Sequence, residues 1–211
     1  MGQENLLTWL ARSLGTPLTV VFLFLTLALV ALMVANALAV RRDSIVPLAL
    51  IQSIENCLGE DRFQEACDLV RVDRSVLGRV LAAGLPQLAS GEEKATVAME
   101  ELGSLESIQI RSRLSYVWLI AQLAPLIGLL GTVGGLIVTF ESIVQKGATP
   151  RPLDLAGGIA TALAATAVGL AIAIVAVAFH HIVLSRIDRL LAEAGILAER
   201  FAESLAAARK P

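Results

Sequence analysis

The stretch GLLGTVGGLIVTF, residues 128–140, combines four glycines and two threonines with an otherwise apolar sequence. It ends a run without charged residues that begins at Leu114. About 20 helical residues cross the hydrocarbon core of a bilayer, so this run is long enough to span a membrane. Glycines in a membrane helix let a second helix approach closely. The stretch therefore predicts a transmembrane helix built for close packing against another helix.

The composition of the whole chain is typical of a membrane protein. Of its 211 residues 56% are hydrophobic and 17% are charged, and the mean hydropathy is +0.73. These values are too apolar for an ordinary soluble domain. Long apolar runs predict three transmembrane helices, at residues 18–40, 114–140 and 155–181. The net charge of −2 gives no indication of nucleic-acid binding.

The distribution of basic residues predicts the orientation of the spans. Of the 17 lysines and arginines, nine lie between Arg41 and Arg113 and five follow the third span. Loops on the cytoplasmic side carry the excess of basic residues. We therefore expect a multi-pass protein, which in a bacterium would lie in the inner (cytoplasmic) membrane. Its predicted segments outside the spans are a periplasmic N-terminus (1–17), a cytoplasmic helical domain (41–113), a periplasmic loop (141–154) and a cytoplasmic helical tail (182–211).

The predicted fold is an all-α integral membrane protein, with two of its three transmembrane helices extended into the cytoplasm. Glycine, aspartate and proline divide the cytoplasmic segment into short helices, which form a small helical domain. One long helix is predicted from about Glu92 to Gln145, through the second span, because Pro125 is the only proline in that range. Its cytoplasmic part is expected to bury an apolar face made of Ala98, Leu102, Leu105 and Ile108.

The tail after the third span has the heptad pattern of a packed helix. Apolar residues recur at spacings of three and four, while charged residues occupy the other positions. The third span is therefore predicted to continue into the tail as one helix. Two arrangements fit the pattern: a cytoplasmic collar of several subunits, or packing on the chain's own helix at 92–115. The pattern comprises Leu184, Ile187, Leu191, Ala194, Ala198, Phe201, Leu205 and Ala208.

Small residues form stripes on the second and third spans. On the second span the stripe is Pro125, Gly128, Thr132, Gly135 and Thr139, at spacings of three and four. The third span contains the small-residue sequence GGIATALAATAVGL at 157–170. Two interpretations are open. The small residues can pack the helices of one subunit tightly, or their hydroxyl groups can line a narrow, partly hydrated pore.

Apart from His180 and His181 at the end of the third, the second and third spans contain none of the side chains that usually carry protons through a membrane. Neither 114–140 nor 155–179 includes Asp, Glu, Lys, Arg or His. A membrane proton relay normally contains an ionisable residue, so a partner would have to supply it. The sequence has no nucleophile–base pair, metal-ligand spacing or phosphate loop, since GTVGG lies within a span. It therefore predicts no enzyme, no catalytic residue, and no metal, cofactor or nucleotide site.

Two motifs give the sequence a family resemblance. LAPLIGLLGTVGGLIVTF (123–140), followed by GIATALAATAVGL (158–170), resembles the ExbB/TolQ/MotA proton-channel family, closest to its ExbB/TolQ branch. GEDRFQEACDL (59–69) and LGRVLAAGL (77–85) are similar to that family's cytoplasmic domain. The resemblance implies a homopentamer around two copies of an ExbD/TolR-type single-span partner, whose membrane aspartate carries protons. The implied function is a stator that converts proton motive force into work for envelope transport, envelope integrity or motility.

The resemblance also implies site residues, taken position by position. Thr132, Thr161 and Thr166 are expected to line the pore, with Thr161 standing where many ExbB and TolQ proteins have a glutamate. That difference supports an alternative, a non-conducting membrane scaffold that clamps a partner's anchor helix. The helix-packing residues in the pore are expected to be Gly128, Gly131, Gly135, Gly158 and Gly169. The sequence does not indicate which process is powered, which partner is used, or whether the ion is H⁺ or Na⁺.

Overall fold

The computed structural model describes residues 16–60, 62–146 and 152–209 and is helical throughout, apart from short connections. Among these residues no β-strand occurs, which confirms the all-α prediction. The helices are α1 (Thr16–Ala39), α2 (Arg42–Ile45), α3 (Leu48–Gly59), α4 (Phe63–Val72), α5 (Val76–Gly84), a 3₁₀ helix (Leu85–Ser90), α6 (Glu92–Lys146) and α7 (Pro152–Arg209).

In the part of the chain that the structure describes, three helices are long and apolar enough to cross a membrane. They are α1 and the segments Glu93–Gln145 of α6 and Leu155–Ser204 of α7. The two predictions of long continuous helices are confirmed, because α6 has 55 residues and α7 has 58. Of the predicted periplasmic loop at 141–154, residues 147–151 lie outside the described part of the chain, and so do residues 1–15 of the predicted N-terminus.

The described residues fall into two compact units. The first holds the part of α1 up to Val34 together with Ser115–His181. Its core combines large side chains of α1, such as Phe22 and Leu29, with the buried alanines of α6 and α7. Most of its large apolar side chains remain exposed, including Phe24 and Leu130. Exposure on this scale is expected of a surface that contacts lipid or neighbouring helices rather than water.

The second unit holds Ala35–Leu114 and the residues from Ile182 onward. Its core is formed by α3, α4 and α5, the first part of α6 and the tail of α7, with Ile54, Leu77 and Phe201 almost fully buried. Among the described residues, three ion pairs join the tail of α7 to the rest of the unit: Arg42 with Glu193, Arg111 with Asp188, and Arg200 with Glu55. The tail of α7 is therefore packed on its own chain, as one of the two interpretations expected.

The buried side of that tail largely follows the predicted heptad pattern. Ile187, Ala194, Ala198 and Phe201 are buried as expected, whereas Leu184 and Leu191 are only partly covered. The side chains of the last two members of the pattern, at 205 and 208, lie outside the described side chains. A collar of several subunits stays a prediction.

The predicted apolar face of α6 is wrong for two of its four residues. Leu105 and Ile108 are 56% and 63% exposed, whereas Ala95, Met99 and Glu106 are buried. The buried face lies one residue further along the sequence than predicted, which corresponds to a turn of about 100° around the helix axis. Met99 packs against Gly84, and the buried side of the next two turns is taken by Glu106, which is held by a cation. The spacing of apolar residues does not predict a buried face whose central residue is charged.

A bidentate ion pair joins α5 to α6. Arg79 Nε donates to Glu106 Oε1 at 2.7 Å and its NH2 group donates to Glu106 Oε2 at 2.6 Å. The third nitrogen of the guanidinium donates to the carbonyl oxygen of Arg74 at 2.7 Å. Glu106 is only 8% exposed, while the Arg79 side chain retains 44% exposure. The buried carboxylate of Glu106 therefore relies on Arg79 to balance its negative charge. The guanidinium of Arg79 is partly exposed, so water can solvate its positive charge as well.

This asymmetry predicts unequal effects of neutralising the two partners. Arg79→Gln leaves a buried carboxylate unpaired, so the midpoint of thermal unfolding should fall by about 5 °C. Glu106→Gln leaves a guanidinium that water can still reach, so its effect should be about half as large. Thermal unfolding of the detergent-solubilised chain measures both, with Glu65→Gln in the exposed pair with Arg62 as the control near zero. A larger effect for Glu106→Gln would contradict this account.

Candidate functional site

The glycines of the two motifs bring the backbones of α6 and α7 into direct contact. Gly128 and Gly135 of α6 are buried, as are Gly158 and Gly169 of α7. A Cβ atom placed on Gly135 would lie 2.6 Å from the carbonyl oxygen of Gly158 and 2.8 Å from the amide nitrogen of Ala162. Because those atoms belong to the opposite backbone, they cannot move aside as a flexible side chain can. Only glycine fits at this position.

The same contact continues over about three further helical turns. A Cβ atom on Gly169 would lie 2.5 Å from the carbonyl oxygen of Ala124 and 3.2 Å from the Cα atom of Gly128. Gly131 faces the Ala165 side chain and lies near Leu18 of α1. Close backbone contact of this kind is typical of small-residue interfaces in membranes. Tight packing within one subunit therefore accounts for five of these glycines: Gly128, Gly131, Gly135, Gly158 and Gly169.

Two other glycines of the motifs have a different environment. A Cβ atom on Gly134 or on Gly157 would meet no atom of the described chain within 4 Å. Each lies one residue before a glycine of the contact, Gly135 or Gly158, and is therefore turned about 100° away from it. Their small size serves no contact within the described part of this chain.

Thr139 closes the end of the contact and is a site residue that sequence reasoning did not select. It is 7% exposed, and its Oγ1 donates to the carbonyl oxygen of Gly135 at 2.9 Å. The Oγ1 atom of Thr139 also occupies the space that a Cβ atom on Gly158 would need. The signal was present, since Thr139 belongs to the small-residue stripe, but the spacing alone does not distinguish a buried hydroxyl from an exposed one.

The three threonines expected to line a pore lie at the edges of this contact and are partly exposed. Thr132 Oγ1 donates to the carbonyl oxygen of Leu129 at 2.6 Å, and Thr161 Oγ1 donates to that of Gly157 at 3.0 Å. Thr166 Oγ1 instead reaches across to the other helix, where its bond to the carbonyl oxygen of Gly128 is long, at 3.4 Å. Each hydroxyl can still accept a hydrogen bond from water.

The structure brings two of these threonines together and separates the third. Thr166 bonds to Gly128, and Thr132 lies one turn further along α6 from Gly128, so these two share one edge of the contact. Thr161 precedes Thr166 by five residues, which places it about 140° further around α7. It therefore lies toward the other edge of the helix pair.

The chemical groups of the site are hydroxyls, carbonyls and small apolar side chains. No Asp, Glu, Lys, Arg or His occurs at 114–140 or 155–179. In the described part of the chain no group of three or more His, Cys, Asp or Glu side chains is arranged to hold a metal ion. The site can therefore orient water or pack a helix, but it cannot itself take up and release a proton at neutral pH.

Comparison with known proteins places these features in a family. A family model described as the MotA/TolQ/ExbB proton channel family matches residues 72–195, which include both glycine motifs. A biopolymer transport protein, ExbB-like 1 of Synechocystis sp., is 31% identical over 175 residues, covering 79% of this chain and 67% of its own length.

Two further relatives match shorter parts of the chain. The biopolymer transport protein ExbB of Aquifex aeolicus is 30% identical over 122 residues, covering 55% of this chain and 82% of its own length. The biopolymer transport protein exbB1 of Vibrio cholerae is 40% identical over 85 residues, covering 40% of this chain and 37% of its own length.

Proposed function

Since the chain belongs to the MotA/TolQ/ExbB proton channel family, we propose that it is a subunit of an inner-membrane proton channel and stator. It converts proton motive force into mechanical work together with an ExbD/TolR-type partner. The observation that carries this proposal is the edge shared by Thr132 and Thr166, where two hydroxyls border a glycine contact and residues 114–140 and 155–179 include no Asp, Glu, Lys, Arg or His. The names of the relatives, which are biopolymer transport proteins, favour transport as the process powered.

In the proposed mechanism the proton moves on the partner, and this chain provides the surface against which the partner helix lies. An aspartate in the partner's span takes up the proton, which removes the charge that would be costly inside the membrane. Thr132 and Thr166 donate and accept hydrogen bonds with the water that leads to that aspartate. Because the bordering residues are small, a partner helix can turn against them without meeting large side chains.

The proposed assembly is a homopentamer around two copies of the partner. It is supported by the large apolar side chains that the first unit leaves exposed, such as Leu126, Leu129 and Leu130, which neighbouring copies or lipid would cover. The proposed orientation has a periplasmic N-terminus and a cytoplasmic C-terminus, supported by the basic residues that flank the spans on one side.

Co-expression with a single-span partner tests this function. The full chain and the partner would be purified together, weighed by native mass spectrometry and reconstituted into vesicles with a pH-sensitive dye inside. We expect five copies with two partners, and proton flow that stops when the partner's membrane aspartate is replaced by asparagine. Vesicles that leak no more protons than empty ones would refute the proposal.

Thr161 supports a second candidate, a membrane scaffold that clamps an anchor helix without conducting. It stands where many relatives have a glutamate, and it lies away from the edge shared by Thr132 and Thr166. Thr161→Glu separates the two candidates in the same vesicles. A scaffold that had lost conduction with its carboxylate would gain proton flow from this substitution, whereas a channel that uses only the partner's aspartate would already conduct without it.

Thr161→Val is expected to slow proton flow only moderately. Valine keeps the volume of threonine but removes the hydroxyl, whose proton is already donated to Gly157 on its own helix. Dye quenching in vesicles that contain the whole complex gives the rate, and Thr161→Ser, which keeps the hydroxyl, serves as the matched control. If Val and Ser variants both conduct at the wild-type rate, Thr161 is a packing residue.

A further inference from the structure

A cavity of about 350 Å³ lies within the second unit, away from the glycine contact. It is bounded by the end of α1, by α2, by the start of α5 and by the first part of α6. Its position follows from the sequence of the residues that line it. Val40 ends the first apolar run, and Arg113 immediately precedes the second. The cavity therefore lies at the level where two membrane spans end and the polar layer of the bilayer begins.

The lining of the cavity carries an excess of positive charge. It includes three arginines, Arg74, Arg79 and Arg113, against one residue with a carboxylate, Glu106. Both oxygens of this carboxylate accept hydrogen bonds from Arg79. Within the described part of the chain, the guanidinium groups of Arg74 and Arg113 take part in no ion pair. Two cations that border one cavity without a counter-charge favour an anion there.

The cavity wall has a polar part and an apolar part. Besides the arginines, the polar part includes Ser44 and Gln109, while Ala39, Val40 and Ile110 contribute apolar surface. An inorganic anion would need only the polar part. A ligand with an anionic group and an adjoining hydrocarbon portion would use both.

We propose that this cavity binds the phosphate group of an anionic glycerophospholipid. The phosphodiester would lie between Arg74 and Arg113, since guanidinium groups pair with phosphate oxygens in bidentate geometry. The glycerol and the first methylene groups would contact the apolar wall. Free phosphate shares the anionic chemistry, but the cavity's apolar wall and its place beside the ends of two spans favour the lipid. The proposal concerns binding alone and does not depend on proton flow.

Native mass spectrometry of the full chain, titrated with phosphatidylglycerol in detergent, tests the site. Arg74→Gln together with Arg113→Gln should weaken binding at least about tenfold, because each basic residue near a membrane surface contributes on the order of 1 kcal/mol toward an anionic lipid. Arg71→Gln together with Arg111→Gln is the matched control, since it removes the same charge from exposed positions that do not line the cavity. We expect the control to bind within about twofold of wild type.

Further arms identify the ligand. Phosphatidylethanolamine, which carries the same phosphodiester beside an ammonium group, should bind more weakly than phosphatidylglycerol, and millimolar inorganic phosphate should not displace the bound lipid. Equal lipid binding by the Arg74/Arg113 variant and by wild type would contradict the proposal that these two arginines bind the phosphate. Displacement of the lipid by inorganic phosphate would overturn the lipid assignment in favour of a free phosphate. If the double variant fails to fold, Arg74→Gln alone, at an exposed position, should still weaken lipid binding severalfold.

Discussion

Gly135→Val is expected to disrupt the contact between α6 and α7 and to lower the midpoint of thermal unfolding by about 10 °C. The first added carbon would lie 2.6 Å from the carbonyl oxygen of Gly158 and 2.8 Å from the amide nitrogen of Ala162. Overpacking costs about 1–3 kcal/mol where side chains can adjust. The upper end applies here because two backbones would have to separate. Thermal unfolding of the detergent-solubilised full chain measures the effect.

Gly134→Val provides the matched control for this prediction. It makes the same change one residue earlier on the same helix, where an added carbon meets no atom of the described chain within 4 Å. Both variants change the helix propensity of α6 alike, so the difference between them isolates the contact. Unfolding midpoints that fall equally in the two variants would show that the glycine contact does not hold the helices together.

The fold was largely predictable because its main elements are long and apolar. Runs without charge, together with few helix breakers between Glu92 and Gln145, are sufficient to predict continuous helices that span a membrane. The prediction that was wrong concerns the buried face of α6, where Leu105 and Ile108 are exposed and Glu106 is buried. Periodicity identifies an apolar stripe, but the buried stripe is set by its partners. Arg79 lies 27 positions away from Glu106, and no spacing rule connects them.

The candidate site was predictable as a set of residues but not as an arrangement. The motifs contain the glycines of the contact, yet no pattern in the sequence pairs Gly135 with Gly158. Helical geometry alone separates Thr161 from Thr166 by about 140°. The position of Thr132 near Thr166, however, depends on how α6 and α7 meet at Gly128. Pairings of this kind are tertiary contacts, and residue spacing within a single helix does not predict them.

The two interpretations of the small residues are compatible, because different residues support each of them. The glycines at the contact are explained by packing within one chain, so they are no independent support for a pore. The hydroxyls of Thr132 and Thr166 remain partly exposed at its edge. A test of the proposed channel must therefore change the threonines and leave the glycines in place.

Thr132→Leu is expected to abolish proton flow while leaving the complex assembled. Thr132 is partly exposed, and its hydroxyl donates to the carbonyl oxygen of Leu129 on its own helix, so a leucine can be accommodated without disturbing the glycine contact. In the proposed channel the added methyl groups would occupy the space of the water beside Thr166 and remove a hydrogen-bonding group from it. Dye quenching in vesicles that contain the chain and its partner measures the flow, and native mass spectrometry of the same sample reports assembly.

Val133→Leu is the matched control, since it also introduces a leucine, at the neighbouring position of α6 turned about 100° away. Val133 is exposed in the described structure, so this variant should conduct at the wild-type rate. A channel narrow enough to be blocked by one leucine must be sensitive to side chains on one face of α6 and indifferent to those on the next. Proton flow at the wild-type rate in the Thr132→Leu complex would therefore show that Thr132 does not line the pore. Loss of flow in both variants would indicate a packing defect rather than a blocked path.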